Sequence, residues 1–479
     1  MRQLHLIEAA DLPPLGVFGR DIALKDYRRY LGTTQGDVFY DAGKGLFPNA
    51  FAAVAGTIGT GHHLYLHLPA HYPDGDPDHR RWLAHGEAIE TCADHFHQRL
   101  RRLAAQQNTA AAPPLAQHQA IARFSHPQPQ IILGKRGSGK SHFLAQKINA
   151  LADAEIVPLL LVSPFAQNRQ IIAAHTQVPL LCLPPDEALR RLPAAQALIV
   201  DEAAALAPAQ LIALCRHYPA FTLASTSDGY EGSAQHFCLN TLPALGIRQE
   251  QIVHLQGNYR HHSGDPLECL MDRLFLFPTG QAEKLQSHEA TEIIALQAQD
   301  LATDEQLLCS YWSLLNQAHY RSRPEDLKRL LDMPDQALFM AVNAQGECLG
   351  VLQIALETPL DTALAQAVIA GERRPRGRLL MQQLLQRSGE LHWAQQGFAR
   401  VQRIAVHPDC RRRQIASRLL NAAHRQLADW QFGCVYGASP SLEAFWENNA
   451  YRLCYQAQHI RSRHQGASHI RLHQNFLTG

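Results

Sequence analysis

Apolar and polar residues follow two different patterns along the chain, and the change between them falls near residue 285. From about residue 118, short and nearly continuous apolar runs alternate with segments of helix length. These runs are IILG (131–134), PLLLVSP (158–164), QALIVDE (196–202), FTLASTS (221–227) and QIVHLQ (251–256). Strands that are apolar on both faces and separated by helices predict a parallel sheet covered by helices on both sides.

The pattern after residue 285 predicts a different, α+β arrangement. Residues 337–356 hold two apolar strands around an Asn/Gly turn, which predicts an antiparallel hairpin. We then expect a strand at 401–408, an amphipathic helix at 411–430, a strand at 433–439 and a helix at 441–453. This mixed order indicates a separate domain in the last part of the chain.

The first hundred residues carry weaker α/β signals. Residues 47–69 predict a helix, a glycine turn and a buried strand. Residues 103–117 are low in complexity and contain paired prolines, which is typical of a linker. We therefore predict a multidomain α/β chain with boundaries at 1–105, 106–285 and 286–479.

Composition narrows the class of protein without deciding its function. A chain of 479 residues with 46% apolar and 18% charged residues is globular and too long for a single core. The net charge of +1 neither favours nor excludes a basic face for nucleic acid. Ten cysteines without a CxxC pair indicate reduced thiols. With no apolar segment of signal-peptide or membrane-spanning length, we expect a cytoplasmic protein without a membrane partner.

A phosphate-binding loop is the clearest chemical motif. GKRGSGKS (134–141) matches G-x-x-x-x-G-K-[ST] through Gly134, Gly139, Lys140 and Ser141, with a strand before it and a helix pattern after it. In such a loop the backbone N–H groups and the helix N-terminus grip phosphates. Lys140 would neutralise the β- and γ-phosphates, and Ser141 would hold Mg²⁺.

Three further segments suit a nucleotide site, each with a simpler alternative. In LIVDEA (198–203), Asp201 would bind the metal and Glu202 would orient the attacking water, although Glu202 could instead cap the following helix. STSDGYEGS (225–233) would sense the γ-phosphate or form an ordinary turn. Arg260 would act as an arginine finger or form a surface ion pair.

The second half of the chain predicts a thioester site. A strand ending in Ile404, Ala405 and Val406 leads into HPDCRRRQIAS (407–417), where a helix is expected to begin near 411–417. The pyrophosphate of coenzyme A needs backbone donors at a helix N-terminus and nearby cations, which Arg411, Arg412 and Arg413 would supply. The edge of the strand could bond the pantetheine amide. The arginines could equally form a solvated helix start or an RNA-contacting patch.

Two further residues of this loop, His407 and Gln414, bear on its chemistry. His407 follows the strand directly, where a neutral imidazole could take a proton from an attacking amine, or could have no chemical role. The loop resembles the R-x-x-G-x-G/A signature of GNAT acetyltransferases, but reads R-R-R-Q-I-A. Gln414 therefore stands where glycine is expected, and it would crowd close approach of a phosphate.

Most of the chain resembles the bacterial tRNA(Met) cytidine acetyltransferase family. The resemblance extends over the N-terminal segment, the acetyl-CoA loop, and the ATPase motifs KRGSGKS, LIVDEAAAL and TSDGYEGS with the later GDPLECLMDRLFLF. It is also carried by AHYRSRPEDLKRLLDMPD (318–335), GERRPRGRLL (371–380) and GASPSLEAFWENNAY (437–451). It implies an N-terminal α/β domain, a P-loop RecA-like ATPase with a parallel sheet, and a C-terminal GNAT-like α+β acetyltransferase domain.

The resemblance also implies a reaction, namely N4-acetylation of the wobble cytidine of elongator tRNA(Met) with acetyl-CoA and hydrolysis of ATP or GTP. His407 would be catalytic, and DNA is not an expected partner. The implied nucleotide contacts are Gln119, Gly137, Ser138, Gly139, Lys140, Ser141 and Arg260. The implied acetyl-CoA contacts are Ile404, Ala405, Val406, Arg411, Arg412, Arg413, Gln414, Ile415, Ala416 and Ser417.

Departures from the family pattern keep other readings open. Asn448 stands where the family usually has arginine, and the N-terminal domain looks shortened. The chain could acetylate another RNA or a protein amine, or it could be an RNA-remodelling ATPase with a weakened acetyl-CoA site. Arginine clusters at 372–378 and 411–413 favour RNA as the partner.

Overall fold

Three sheets organise the computed structural model of the chain. It describes residues 1–31, 33–107, 129–135, 137–226, 237–255, 264–277, 285–289, 292–317, 323–456 and 468–474. Within these ranges, every helix is too short or too polar to span a bilayer. The expected multidomain α/β fold class is confirmed.

The N-terminal sheet is small and parallel. Strands β1 (Leu4–Ile7), β2 (Val38–Asp41) and β3 (Leu64–His67) pair in the order β1-β3-β2. Helices α1 (Pro48–Ala55) and α2 (His95–Ala105) accompany it. The helix, glycine turn and strand expected at 47–69 are confirmed by α1 and β3, with Gly61 at a φ of 85° in the turn between them.

The middle of the chain forms the predicted parallel sheet. Its six strands pair in the order β6-β5-β7-β8-β4-β9, and every recorded pairing is parallel. Ile131 and Leu133 of β4 lie in one apolar cluster while Ile132 lies in another, so both faces are covered as expected. The strands are β4 (Gln130–Gly134), β5 (Leu159–Val162), β6 (Leu181–Leu183), β7 (Ala197–Val200), β8 (Phe221–Thr226) and β9 (Ile252–Leu255).

The C-terminal sheet is mixed and has seven strands in the order β10-β11-β12-β13-β14-β16-β15. The expected hairpin at 337–356 is confirmed by antiparallel β11 and β12, with Gly346 at a φ of 79° in the turn. The strands are β10 (Glu292–Leu296), β11 (Gln336–Val342), β12 (Cys348–Glu357), β13 (Phe398–Val406), β14 (Gln431–Gly437), β15 (Tyr451–Gln456) and β16 (Ser468–His473).

The remaining α-helices connect and cover these sheets. They are α3 (Lys140–Asp153), α4 (Ala166–Ala174), α5 (Pro185–Arg191), α6 (Pro208–His217), α7 (Pro266–Phe275), α8 (Ala298–Thr303), α9 (Glu305–Gln317), α10 (Pro324–Asp332), α11 (Thr362–Ile369), α12 (Leu379–Ser388), α13 (Ile415–Gln426) and α14 (Pro440–Asn448). A single helical turn, Leu242–Ala244, follows a π-helical turn at Phe237–Thr241.

Two helix predictions need correction at their ends. The helix expected over 411–430 begins only at Ile415 and ends at Gln426. The helix expected over 441–453 ends at Asn448, because Ala450 adopts a left-handed φ of 63° and the chain enters β15 at Tyr451. Consecutive asparagines are poor helix formers, which is consistent with the earlier end.

One hydrophobic core joins the two ends of the chain. Residues of the N-terminal sheet and of α1 and α2 share a buried cluster with α7, α9, α10 and β11. Helix α7, which the proposed boundaries place with the middle domain, therefore packs with the N-terminal region. The division at 1–105, 106–285 and 286–479 stays a prediction.

Buried ion pairs reinforce this joint. Lys328 of α10 is fully buried, and its Nζ donates hydrogen bonds to the carboxylates of Asp76 and Asp78. On the same helix, Asp332 lies 3.0 Å from the ring of His79. Removing one partner of such a buried pair leaves the other charge buried without a partner. These contacts therefore favour one arrangement of α10 against the N-terminal region. They give residues 323–335, the described part of the distinctive 318–335 segment, a structural role.

Candidate nucleotide and acetyl-CoA sites

The GKRGSGKS segment forms a tight loop between β4 and α3. A Cβ at Gly134 would collide with Ser138 Oγ and crowd Leu255, so the tight turn of the loop favours glycine there. Gly137 and Gly139 both have a φ of 81°, a left-handed conformation that glycine adopts readily. Helix α3 begins at Lys140, so its N-terminus points into the loop as the sequence predicts.

The loop lysine is buried and held against the loop backbone. Lys140 is 6% exposed, and its Nζ donates hydrogen bonds of 2.9 Å to the carbonyl oxygens of Gly134 and Lys135. Ser141 follows in the first turn of α3 and is half-buried. Both side chains therefore lie where the motif requires a cation and a hydroxyl.

The acidic pair lies at the same carboxyl edge of the sheet, directly after β7. Asp201 is 1% exposed and accepts a hydrogen bond of 2.8 Å from Asn168 Nδ2. Burial and, to a smaller extent, the neighbouring charge of Glu202 raise the pKa of Asp201. They outweigh the lowering effect of Lys140, so that the pKa of Asp201 is about 7. A desolvated carboxylate of this kind gains much from a bound cation.

Glu202 contacts the neighbouring strand rather than the helix that follows it. It has a left-handed φ of 51° and precedes the 3₁₀-helix Ala203–Ala205, to which its side chain makes no capping hydrogen bond. Its Oε2 instead accepts a hydrogen bond of 3.2 Å from Thr226 Oγ1, at the end of β8. The contact directs the carboxylate across the edge where a nucleotide would sit.

Some predicted nucleotide contacts lie outside the described residues. These are Gln119, Arg260 and residues 227–233, so their roles stay predictions. One contact was not anticipated from the sequence: Lys135 Nζ lies 2.6 Å from Asp272 Oδ2 on α7. It links the phosphate loop to the helix that packs with the N-terminal core.

The predicted thioester site begins at an open strand edge. Strand β13 pairs with β12 along its length, up to Val406 opposite Gly350. Its recorded pairing with β14 stops at Val401. The segment from Arg403 to Val406 therefore diverges from β14, and its backbone can bond an amide-bearing chain such as pantetheine.

The arginine loop leads from this edge to the start of α13. Arg412 and Gln414 have left-handed φ values of 63° and 58°. Gln414 is the N-cap of α13, and its side chain is exposed rather than turned into the protein. Gly350 permits the helix to approach the sheet, since a Cβ there would lie 2.8 Å from Ile415 Cγ2.

The predicted cofactor residues separate into backbone and cationic groups. Ile404, Ala405 and Val406 line the open edge, while Ile415, Ala416 and Ser417 form the first turn of α13. The exposed side chains are Arg411, Arg412, Arg413 and Gln414. The structure brings all of them to one end of the sheet.

His407 is buried at the end of β13. It is 6% exposed, and its backbone N–H donates to Leu349 O at 2.9 Å. Its Nδ1 accepts the N–H of Asp409 at 3.3 Å. In that arrangement a neutral imidazole carries its proton on Nε2, which has no hydrogen-bond partner among the described residues. His407 is thus arranged to donate a hydrogen bond, and service as a base would require the other tautomer.

Comparisons with known proteins match all three parts of the chain. The family model for the tRNA(Met) cytidine acetyltransferase TmcA N-terminal domain matches residues 9–112. The model for the helicase domain of RNA cytidine acetyltransferase NAT10/TcmA matches residues 174–278, and GNAT acetyltransferase 2 matches residues 310–429.

Relatives extend the similarity over most of the chain. A tRNA(Met) cytidine acetyltransferase TmcA from Idiomarina loihiensis is 31% identical over 92% of this chain and 73% of its own length. The chain belongs to the tRNA(Met) cytidine acetyltransferase family. The Salmonella typhimurium member is 30% identical, with 90% of this chain and 67% of that protein covered.

Among solved structures, a chimera of spermidine N-acetyltransferase SpeG from Vibrio cholerae and hSSAT covers 40% of this chain and all of its own length. The identity is 12% and the TM-score is 0.24, too low to bear on the architecture.

Proposed function

We propose that this protein acetylates N4 of the wobble cytidine in elongator tRNA(Met), with acetyl-CoA as donor and with hydrolysis of ATP or GTP. The observation that supports the proposal is that one chain of this family has two helices, α3 and α13, which each begin directly after a loop suited to binding an anion. The proposed substrate, a tRNA, places the reaction in the cytoplasm.

For the nucleotide half, we assign roles by chemistry. Lys140 neutralises the transferred phosphate, and Glu202 orients the attacking water from its position beside Thr226. Ser141 and Asp201 would hold Mg²⁺ with the nucleotide; the buried, poorly solvated carboxylate of Asp201 fits such a cation. When bound, the ion would supply positive charge that offsets the negative charge of the phosphates.

For the acetyl half, the N4 amine attacks the thioester carbonyl, the new C–N bond forms, and the thiolate of coenzyme A leaves. The amine gives up one proton during this exchange, and the departing thiolate takes up one proton, so that the products are the acetylated base and coenzyme A as its thiol. The open backbone of Arg403–Val406 positions the donor, and the start of α13 binds its pyrophosphate. His407, with Nε2–H available, would hydrogen-bond to the charge that develops on oxygen or sulfur.

Hydrolysis of the nucleotide is not needed for a thioester to acylate an amine. A wobble base must leave its stack to reach a pocket, and its N4 is a weak nucleophile because its lone pair is delocalised into the ring. We therefore assign the nucleotide half to movement of the RNA or of the domains that hold it.

Incubation with total tRNA, ATP and labelled acetyl-CoA, followed by nucleoside analysis, tests the proposal. We expect labelled N4-acetylcytidine in tRNA(Met) and in no other tRNA. Label in a different RNA would change the substrate but keep the reaction. Label in protein, or none anywhere, would overturn the proposal.

A second candidate, an RNA-remodelling ATPase with a weakened acetyl-CoA site, is favoured by the non-glycine residues at the left-handed positions Arg412 and Gln414. Calorimetric titration with acetyl-CoA separates the two. Measurable binding at micromolar concentrations supports the transferase, and absence of binding at millimolar concentrations supports the remodelling ATPase.

A further inference from the structure

A basic cleft lies between the N-terminal region and the loop that leads into α12. It has a volume of about 360 Å³. One wall carries Arg80 and His85, and the other carries Arg373, Arg374 and Arg376. The second wall belongs to the GERRPRGRLL segment (371–380), whose arginine cluster the sequence associates with RNA without indicating where the RNA would bind.

The arginines of this cleft are available to an outside partner. All four arginines that line it are exposed, namely Arg80, Arg373, Arg374 and Arg376. Among the described residues that line the cleft, none carries a carboxylate. Glu372 is an exposed neighbour in sequence, while Glu87 is drawn toward the buried Arg378, at 3.8 Å. The cleft therefore carries a concentrated positive charge that its own surroundings do not balance.

The two walls are fixed to each other. The backbone N–H of His85 donates to Arg376 O at 3.1 Å, and Arg376 Nη1 donates to Arg80 O. Gly377 lets the walls meet, since a Cβ there would lie 2.6 Å from Ala84 Cβ. Such a joint fixes the two backbone segments from which the arginines project, so that they need not be brought together on binding.

The cleft also lies near β13, the strand whose open edge we assign to acetyl-CoA. Gly377 lines a second, smaller cavity of about 30 Å³ together with Gln402 and Arg403 of β13. Arg403 begins the open edge at which we place the thioester. The loop that carries the cleft arginines therefore also reaches, through Gly377, the strand at which we place the acetyl donor.

The opposite face of the sheet carries α13. Phe398 of β13 packs with α12, whereas the next residue, Ala399, packs with α13. Successive residues of a strand point to opposite faces, so the cleft beside α12 and the pyrophosphate site at α13 lie on different faces. The phosphates of coenzyme A are thereby disfavoured as the occupant.

We propose that this cleft binds phosphates of the RNA backbone and so holds the tRNA while its cytidine reaches the acetyl donor. The inference rests on the proposed function. Exposed arginines that converge from two walls suit successive phosphates, which they contact as fork-shaped donors. An acidic protein segment is the competing occupant and is an outcome of the test.

The double variant Arg373→Ala/Arg374→Ala tests this assignment, because both side chains are exposed and the change should leave the fold intact. We expect its dissociation constant for tRNA to rise roughly tenfold. The plot of the logarithm of the association constant against the logarithm of the salt concentration should become less steep, by about 1.4 to 1.8 units of slope. The KM for tRNA should rise, while kcat, acetyl-CoA affinity and ATP hydrolysis stay unchanged. Arg373→Lys/Arg374→Lys should recover most of the binding.

The control is Arg190→Ala/Arg216→Ala, which removes the same charge from exposed positions on α5 and α6. If both double variants change tRNA binding equally, the cleft has no specific role and the inference fails. If tRNA binding is unchanged but an acidic peptide binds the wild type and not the cleft variant, the occupant is a protein. A wild-type protein that makes no acetylcytidine would overturn the proposed function instead.

Discussion

The nucleotide loop (134–141) and the acetyl-CoA loop (407–417) share one backbone conformation but form it with different residues. In each, two residues with left-handed φ stand two positions apart, and the second is the N-cap of a helix. In the nucleotide loop these residues are Gly137 and Gly139; in the acetyl-CoA loop they are Arg412 and Gln414. A left-handed conformation costs a residue with a side chain roughly 1–2 kcal/mol, which glycine avoids. The acetyl-CoA loop therefore adopts under strain a geometry that the nucleotide loop adopts without it.

The two loops also differ in how they carry positive charge. Lys140 is a single buried cation held by two carbonyl oxygens, whereas Arg411, Arg412 and Arg413 are exposed. Charges in water are screened and can replace one another, but a buried charge cannot be replaced. We expect the nucleotide site to depend on one residue and the acetyl-CoA site to distribute its dependence over several.

The largest expected effect is that of Lys140→Ala. Loss of this cation should lower the rate of ATP hydrolysis roughly 10²–10³-fold, because no other described group takes its place at the transferred phosphate. Phosphate release under steady-state conditions measures it. Acetyl-CoA affinity, measured by calorimetry, should be unchanged.

The matched variant in the other loop is Arg413→Ala. It should weaken acetyl-CoA binding only a few-fold, because Arg411 and Arg412 retain charge near the pyrophosphate. A loss as large as that of Lys140→Ala would show that the acetyl-CoA loop also depends on one cation, and would contradict the comparison.

A smaller effect is expected from relieving the strain in the acetyl-CoA loop. Gln414→Gly should tighten acetyl-CoA binding about fivefold if the bound cofactor holds the loop in the left-handed conformation more strictly than the free loop does, so that roughly 1 kcal/mol of strain is relieved on binding. Gln414→Ala is the control, because it removes the polar side chain but keeps the Cβ. If alanine tightens binding as much as glycine, the side chain crowds the phosphate and backbone strain is not the cause.

Much of the fold could be predicted because its signals are local. The five expected parallel strands of the middle sheet are all present, since each is a continuous apolar run bounded by turns. Strand β6 was missed because it has only three residues, and Leu181 in it is exposed. The early end of α14 depends on the left-handed Ala450, which periodicity does not reveal.

The candidate sites were predictable only as far as motifs reach. GKRGSGKS and the acidic pair after β7 predicted which side chains converge at the sheet edge, although their roles stay predictions. The contact between Lys135 and Asp272, and the ion pairs of Lys328, join residues far apart in sequence and have no local pattern. Nor did the sequence reveal that Arg80 and Arg373 face one cleft, because that depends on how distant regions dock.

The smallest expected effect concerns the helix that carries the acetyl-CoA loop. His424 of α13 lies 3.0 Å from Tyr451 Oη, and burial, with a smaller effect from His473, lowers the pKa of His424 to about 4. In the unfolded chain His424 binds a proton near pH 6.5, whereas in the folded chain it stays neutral until about pH 4. The free energy of unfolding should therefore fall as the pH drops from 6.5 toward 4. His424→Phe should lessen the loss of Tm between pH 7 and pH 5 by a few degrees, in a scan of intrinsic fluorescence. His217→Phe, at an exposed position on α6, should leave that loss unchanged. An equal response of both variants would show that the acid sensitivity of the acetyl-CoA half does not arise at α13.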